Sequence, residues 1–154
     1  RMCVALGGVG LGLARSSLDV AAQFATERVQ FGVPIAEKQA VQNLIAESAV
    51  EVEALQHLVY HAAWRTDRGR GGGKGGHRLG YDASVLKVFA ARVARGVTDR
   101  MVQVMGGYGY MEDYPLARKY RDARALGLVG GATELHMVRI AAGLFSGSDV
   151  EIVP

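Results

Sequence analysis

The chain has 154 residues, of which 49% are hydrophobic and 21% are charged, so it is long and apolar enough for one globular domain with its own core. Its net charge of +3 is too small and too scattered for a nucleic-acid-binding protein, which gathers basic residues on one face. Cys3 is the only cysteine, which excludes an intrachain disulfide framework and a thiolate metal cluster and fits a reducing compartment.

The first block, from Met2 to about Arg28, has the apolar periodicity of a long helix, with a cluster of glycines near its start that lets a neighbouring backbone or a ligand come close. The uninterrupted apolar run ends at Ala14, and crossing a bilayer takes roughly 20 residues, so we predict no membrane span. A secretory signal is excluded, because no basic segment other than Arg1 precedes the run. The chain begins inside helical sequence without Met or an N-cap, and we interpret it as a fragment or a processed chain.

A break and a second helix follow. Gly32 is permissive, and the residue before Pro34 is disfavoured in a helix. Phe31–Pro34 therefore breaks the helix, and we expect Pro34 to be the first residue of the next helix, which runs to about Asp67. Its apolar stripe consists of Val41, Leu44, Ile45, Ser48, Val52, Leu55, Val59 and Ala62.

Residues 68–80 read RGRGGGKGGHRLG, a glycine-rich basic stretch with too little apolar surface to offset the entropy of ordering it. We predict a flexible loop. A phosphate-cradling loop is the sharper alternative, but such loops follow a strand and end in Gly-Lys-Ser/Thr, and the sequence has neither feature.

Three further helices are predicted, from about Tyr81 to Met105, from Tyr114 through Arg124, and from about Ala132 to Phe145. The first of them carries an inward stripe of Val85, Val88, Phe89, Arg92, Val93, Val97, Met101 and Val104. Residues 146–154 are expected to form a frayed tail. Because strand-type alternation is nearly absent, the sequence predicts an all-α fold, an up-and-down four-helix bundle with additional short C-terminal helices.

Conventional catalytic sites are not evident in the sequence. His57 and His61 share one helix face with Glu53, but two histidines without a convincing third ligand predict no metal site. The serines and the cysteine of the first helix have no neighbouring histidine, so nucleophilic catalysis lacks its base.

Three segments combine arginine or amide side chains with glycine at helix ends. In Glu27–Gly32 the cation of Arg28, the amide of Gln30 and the ring of Phe31 lie where the first helix ends. The planar guanidinium of an arginine can donate two parallel hydrogen bonds to diphosphate oxygens. In Gln103–Gly109 residues without side chains let backbone N–H groups approach a ligand. The third joins Tyr120–Arg124 to Val129–Glu134 at the start of the last helix. Each segment alone is a common cap or turn.

In this order the segments resemble the C-terminal domain of acyl-CoA dehydrogenases. The resemblance rests on ATERVQFGVPIAEKQAVQNLIAE, VQVMGGYGYMEDYPLARKYRDAR and GGATELH, covers residues 1–145, and departs from the family chiefly in the glycine-rich loop. It implies a four-helix bundle that also builds dimer and tetramer contacts. The family's N-terminal helical and middle β-domains are absent from this chain, so the fragment alone is predicted to be inactive.

The resemblance also implies FAD as the cofactor, bound across a subunit interface. The positions that match the family's cofactor contacts are Arg28, Gln30, Phe31, Gln103, Gly106, Gly107 and Glu134. The arginine supplies charge-assisted hydrogen bonds to the diphosphate, and the glycine pair supplies close approach.

The family's usual base, the Glu of a Tyr-Glu-Gly-Thr motif, falls on Gly130, which cannot take a proton, and the flavin-contacting threonine falls on Ala132. In the isovaleryl- and long-chain-type branch the base immediately precedes an arginine that resembles Arg1, which we assign to the substrate site. We therefore expect no catalytic base within this chain and a base just upstream of Arg1. Glu134 is the nearest remaining carboxylate, but proton abstraction requires hydrogen-bond reach of the substrate.

The resemblance implies an oxidoreductase that performs α,β-dehydrogenation of an acyl-CoA thioester, as a homodimer or tetramer, with an electron-transfer flavoprotein or a similar acceptor. A non-catalytic subunit that shares FAD with a partner chain in a hetero-oligomer is the alternative favoured by the degraded 129–132 stretch. A plain helical interaction domain is a third hypothesis, against which the ordered cofactor-type segments count. The expected compartment is the bacterial cytoplasm, or the mitochondrial matrix of a eukaryote.

Overall fold

The computed structural model describes residues 1–68 and 76–145. Within these ranges the chain forms six α-helices: α1 (Met2–Glu27), α2 (Gln39–Arg68), α3 (Gly76–Met105), α4 (Gly107–Tyr110), α5 (Leu116–Ala125) and α6 (Thr133–Phe145). A two-stranded antiparallel hairpin, β1 (Val29–Gln30) and β2 (Val33–Pro34), and a 3₁₀ turn (Ile35–Glu37) connect α1 to α2. The all-α prediction is confirmed.

Small residues set the contact between α1 and α3. The buried face of α1 is a stripe at spacings of three and four, made of Gly7, Gly10, Ala14, Ser17, Ala21 and Ala25. A Cβ on Gly7 would lie 2.8 Å from Leu86 Cδ2, and one on Gly10 would lie 3.3 Å from Ala90 Cβ. Glycine at both positions therefore allows the two helices to approach closely.

Side-chain contacts give the direction of each helix. Gly7 and Gly10 face Leu86 and Ala90, whereas Phe24 packs on Tyr108 beyond the end of α3, so α1 and α3 run parallel.

The other two helices run the opposite way. Arg100 of α3 bonds to Ser48 of α2, while Asp82 near the start of α3 lies 2.5 Å from Arg65 near the end of α2. His136 of α6 bonds to Ser84 of α3, and Gly143, further along α6, lies against Tyr81, closer to the start of α3. The predicted up-and-down four-helix bundle is therefore confirmed.

The core lies along α3, where the other helices meet. Its largest fully buried apolar side chains are Leu55, Leu86, Val93, Val97, Met101 and Leu116. Burial of each side chain of this size stabilises the fold by about 1.5–3 kcal/mol. The stripe predicted for α2 is buried at Ser48, Val52, Leu55, Val59 and Ala62. Arg92, predicted on the inward stripe of α3, is exposed, so that prediction is wrong.

Two predictions around the helix boundaries are also wrong. Pro34 does not begin a helix: it pairs with Val29 in the hairpin, and its φ of −54° and ψ of 141° are extended. The second helix begins five residues later, at Gln39. Within the predicted flexible loop 68–80, Arg68 and residues 76–80 are helical, because α2 ends at Arg68 and α3 starts at Gly76. The rest of that loop, residues 69–75, and the predicted tail, residues 146–154, lie outside the described residues.

Helix α1 continues well past the apolar run that ends at Ala14. It has 26 residues and, by length and composition, is long and apolar enough to cross a membrane. The shortness of the apolar run is therefore not a valid argument against a membrane-spanning helix. The core helix of a soluble protein passes the same test, and α1 packs its small-residue stripe against α3. The absence of a membrane span stays a prediction.

Candidate functional site

Two regions of the bundle contain the predicted site residues. The first, called here the hairpin end, comprises residues 28–32 and 103–108, where α1 and α3 both finish. The second, called here the α5–α6 loop, comprises residues 126–132 and leads into Glu134 in the first turn of α6.

Phe31 is the tip of the hairpin. Phe31 and Gly32 form its two-residue turn, with φ values of 55° and 83°, as a type I′ turn requires. A non-glycine residue at such a φ costs about 1–2 kcal/mol. The Phe31 side chain is nevertheless 94% exposed, and its ring centroid lies 5.9 Å from Nζ of Lys38. An exposed aromatic ring in a strained backbone conformation indicates a residue retained for binding rather than for the core.

Arg28 lies directly beside the hairpin and is half-buried. Its guanidinium carbon is 5.3 Å from the centroid of the Tyr108 ring. Tyr108 in turn packs on Phe24 and Tyr114, with ring centroids 5.7 and 5.8 Å away. The aromatic cluster therefore orients a cation toward the end of the bundle.

The end of α3 supplies open backbone beside that cation. Gly106 follows Met105 with a φ of 60°, and α4 begins at Gly107. A Cβ on Gly106 or Gly107 would meet no heavy atom of the described residues within 4 Å. Gln103 and Gln30 are exposed. The structure thus brings the two segments with predicted FAD contacts to one end of the bundle, where a ligand can approach the backbone of the glycine pair beside an arginine.

The α5–α6 loop contains Gly130, the position that matches the family's usual base. Gly130 and Gly131 have φ values of 75° and 101°. A Cβ on Gly130 would lie 2.5 Å from Leu6 Cδ1 and 3.4 Å from Met2 Cε. A glutamate side chain therefore has no space at Gly130 unless Leu6 moves. The same contacts place this loop against the first turns of α1, close to Arg1, which is exposed.

A groove of about 470 Å³ runs between α3, α5 and α6 next to the loop. Three arginines line it, Arg92, Arg95 and Arg124, together with Asp99 and Glu134. Sequence reasoning missed Arg95 and Asp99, although with Arg92 they repeat at spacings of three and four and so predict a polar face of α3. Glu134 is exposed and opens onto this groove.

Two buried polar residues behind the loop were also missed. Lys87 is 1% exposed, and its ammonium group donates a hydrogen bond to the carbonyl oxygen of Leu126. Burial lowers the pKa of Lys87, while Cys3 and Glu134 oppose that shift. His136 is also 1% exposed. The sequence does indicate that Lys87 lies on the apolar face of α3, because Lys87, Ala90 and Ala94 follow one another at spacings of three and four.

His136 joins the loop to α3. Its Nε2 lies 3.1 Å from the carbonyl oxygen of Gly130, and its Nδ1 lies 3.1 Å from Oγ of Ser84. A carbonyl oxygen only accepts, so Nε2–H donates to Gly130, and a neutral ring then accepts from Ser84. The hydroxyl of Thr133 donates to the carbonyl oxygen of Gly127 at 3.2 Å.

The hairpin end and the α5–α6 loop lie along different stretches of α3. His136 bonds to Ser84, and Ser84 lies about 28 Å along the helix from Gln103 at 1.5 Å per residue. One chain therefore brings Arg28 to the glycine pair, but it does not bring either of them to Glu134.

Among the described residues, no group of three or more His, Cys, Asp or Glu side chains is placed to hold a metal ion. His57 lies 3.3 Å from Glu53 of its own helix. His61 stacks on Trp64, with ring centroids 6.1 Å apart. These contacts are those of ordinary helix-surface residues.

The family model for the acyl-CoA dehydrogenase C-terminal domain matches residues 1–145. This chain belongs to the acyl-CoA dehydrogenase family.

Individual relatives agree with the resemblance stated from the sequence. The acryloyl-CoA reductase (NADH) of Anaerotignum propionicum is 38% identical over 138 residues, which are 90% of this chain and 33% of the relative. Butyryl-CoA dehydrogenase from Megasphaera elsdenii superposes with a TM-score of 0.85 at 33% identity, over 92% of this chain and 35% of that one.

A chain in the structure of the electron transferring flavoprotein of Acidaminococcus fermentans superposes with a TM-score of 0.86 at 33% identity, over 94% of this chain and 36% of that one. This chain thus spans about a third of the length of these relatives.

Proposed function

We propose that this chain is the FAD-binding and oligomer-forming domain of an enzyme that removes hydrogen from the α and β carbons of an acyl-CoA thioester. The observation that carries the proposal is the hairpin end, where the Arg28 guanidinium, the exposed Phe31 ring and the open Gly106-Gly107 backbone lie together. FAD, when bound, accepts the hydride.

These residues fit the diphosphate and adenosine part of FAD. Arg28 offers a planar fork of donors to diphosphate oxygens, and Gly106 and Gly107 leave space for a ligand against the backbone. The amide of Gln30 and the ring of Phe31 are exposed beside them. Phe31 offers a flat apolar face to a planar ring.

The geometry supports a site shared between two copies of the chain. Ala132 and Glu134 are the positions that match flavin contacts. Glu134 lies beside the middle of α3, in the groove with Arg92 and Arg95, whereas Arg28 packs on Tyr108 beyond the end of that helix. A two-fold dimer presents the same surface of both subunits to each other, so it can bring the hairpin end of one copy to the α5–α6 loop of the other. On this ground we propose a homodimer or tetramer, or a hetero-oligomer in which the second chain supplies the base.

We place the proton-abstracting carboxylate just upstream of Arg1. Gly130 cannot supply it, because glycine has no side chain, and a side chain there would require Leu6 to move. The start of α1 adjoins this loop, because Met2 and Leu6 both lie against Gly130. Arg1 is exposed and can bind the acyl-CoA substrate.

The decisive experiment replaces the residue before Arg1 in the intact gene product. A glutamate there, together with loss of acyl-CoA-dependent flavin bleaching in its alanine variant and retention of the flavin absorbance, supports the proposal. An alanine variant that bleaches as fast as the unaltered protein contradicts the placement of the base.

A second candidate function is a non-catalytic subunit that contributes Arg28 and its neighbours to a partner's FAD. The loss of both the base and the threonine at Gly130 and Ala132 favours it. In that case flavin absorbance persists without bleaching. A purified protein without flavin absorbance even after reconstitution with FAD contradicts both candidates and leaves a plain helical interaction domain.

The electron partner and the compartment follow from the same proposal. An electron-transfer flavoprotein is the proposed acceptor, in keeping with the similarity to a chain in the Acidaminococcus fermentans structure. The similarity to an acryloyl-CoA reductase makes the reverse reaction, reduction of the double bond, the one to assay beside it. A reducing compartment, the bacterial cytoplasm or the mitochondrial matrix, suits the single cysteine.

A further inference from the structure

Lys87 is an unusual residue for the interior of a helical bundle. It lies on α3 among apolar side chains and is 1% exposed. Withdrawal of an ammonium group from water is costly, and well-packed apolar residues in place of buried charges are often neutral or stabilising. The contribution of Lys87 to the fold alone therefore does not explain its presence.

Its hydrogen bond points to one place in the chain. The ammonium group of Lys87 donates to the carbonyl oxygen of Leu126, the residue that follows α5 and begins the α5–α6 loop. His136 donates to the carbonyl oxygen of Gly130 further along the same loop and is itself held by Ser84. Two buried side chains thus hold the loop from its inner side at two points.

The loop needs such restraint. Gly130 and Gly131 both have positive φ, and glycine at such positions leaves an unrestrained backbone several alternative conformations. The outer side of the loop carries Ala132 and leads to Glu134, both exposed. A binding surface built on a loop holds its geometry only where packing and hydrogen bonds restrict that loop.

We propose that Lys87 and His136 are positioning residues for the cofactor: they hold the carbonyl oxygens of Leu126 and Gly130 so that the loop presents Ala132 and Glu134 to FAD in one conformation. The inference rests on the function proposed above. Neither side chain touches the cofactor, because both are buried behind the loop. Their effect on binding is therefore a reduction of the entropy that the loop would otherwise lose when FAD binds.

The chain offers a matched control for Lys87. Lys119 also donates a hydrogen bond from its ammonium group to a backbone carbonyl, that of Ser16, at 3.1 Å, and burial lowers its pKa as well. That bond ties α5 to α1, away from the α5–α6 loop. Lys87→Met and Lys119→Met therefore remove the same type of bond at two places.

The test measures amide hydrogen exchange and FAD affinity in the intact protein. The amides of Val129 and Thr133, which bond to carbonyl oxygens of Ala125 and Gly127, report on the loop. In Lys87→Met we expect exchange and the FAD dissociation constant each to rise roughly tenfold, the factor that corresponds to one charge-assisted hydrogen bond. In Lys119→Met both stay within about twofold. Equal effects of the two variants, or unchanged exchange in Lys87→Met, overturn the proposal.

A second pair of variants decides the question if Lys87→Met does not fold. His136→Leu removes both hydrogen bonds, whereas the amide of His136→Gln can donate to Gly130 and accept from Ser84. The proposal is supported if His136→Leu shows faster amide exchange in the loop and weaker FAD binding, and if His136→Gln restores both to the values of the unaltered protein. If His136→Gln restores neither, the proposal is overturned. If the unaltered protein binds no FAD after reconstitution, the proposed function fails, and loop exchange alone then decides whether the two residues hold the loop.

Discussion

Gly130→Ala tests the contact on which the placement of the base depends. A residue with a Cβ at a φ of 75° is strained by about 1–2 kcal/mol. The added Cβ would also lie 2.5 Å from Leu6 Cδ1, the end of a flexible side chain that can shift, so overpacking costs about 1 kcal/mol, the low end of its usual range. We therefore expect the free energy of unfolding to fall by about 2–3 kcal/mol, as the sum of the two effects.

The assay is urea unfolding of the chain, with Gly32→Ala as the control. Gly32 also has a positive φ, 83°, but its Cβ would meet no heavy atom of the described residues within 4 Å, so only the strain of about 1–2 kcal/mol remains. Leu6→Ala in the Gly130→Ala background should recover part of the loss, with a coupling energy of about 1 kcal/mol. Equal losses at Gly130 and Gly32, without coupling to Leu6, would refute the argument that a side chain at Gly130 requires Leu6 to move.

Three further predictions concern an ion pair, the hairpin tip and the buried lysine. Arg100→Met leaves Glu51 without its partner in a half-buried contact and should lower the unfolding free energy by about 1.5–3 kcal/mol. Arg121→Met, which breaks an exposed pair, should leave the urea midpoint unchanged. Phe31→Gly relieves a positive φ, so stability should stay level or rise by about 1 kcal/mol, while fluorescence titration should show FAD affinity falling roughly tenfold. Burial lowers the pKa of Lys87 and of Lys119, so the unfolded chain binds more protons at alkaline pH and stability should rise with pH up to the ordinary lysine pKa. Lys87→Met should reduce that rise in urea titrations across this range, and the part due to Lys119 should remain.

Helical periodicity accounts for most of what could be predicted about the fold. Spacings of three and four gave the buried face of α2, and small residues indicated the close approach of α1, which the structure places against Leu86 and Ala90. The hairpin was missed because strands of two residues have no period to detect. Pro34 was misread because its fixed φ fits an extended residue as well as the first residue of a helix.

The site was less predictable, because its parts depend on tertiary contacts. The segment pattern indicated Arg28 and the glycine pair, and the structure places them together at the hairpin end. No local pattern shows that Phe31 has a positive φ or that Leu6 fills the space beside Gly130. Lys87 was passed over because lysine is normally exposed, and only the packing of α3 against its neighbours shows that it is buried.

The separation of the hairpin end from the α5–α6 loop along α3 predicts the outcome of a genetic complementation test. In the proposed dimer each FAD site draws on the hairpin end of one polypeptide and the loop of the other. In a mixed dimer of an Arg28 variant and a loop variant, one site carries both lesions and the other carries none. Two inactive alleles should therefore complement each other, and half of the sites in every mixed dimer should recover.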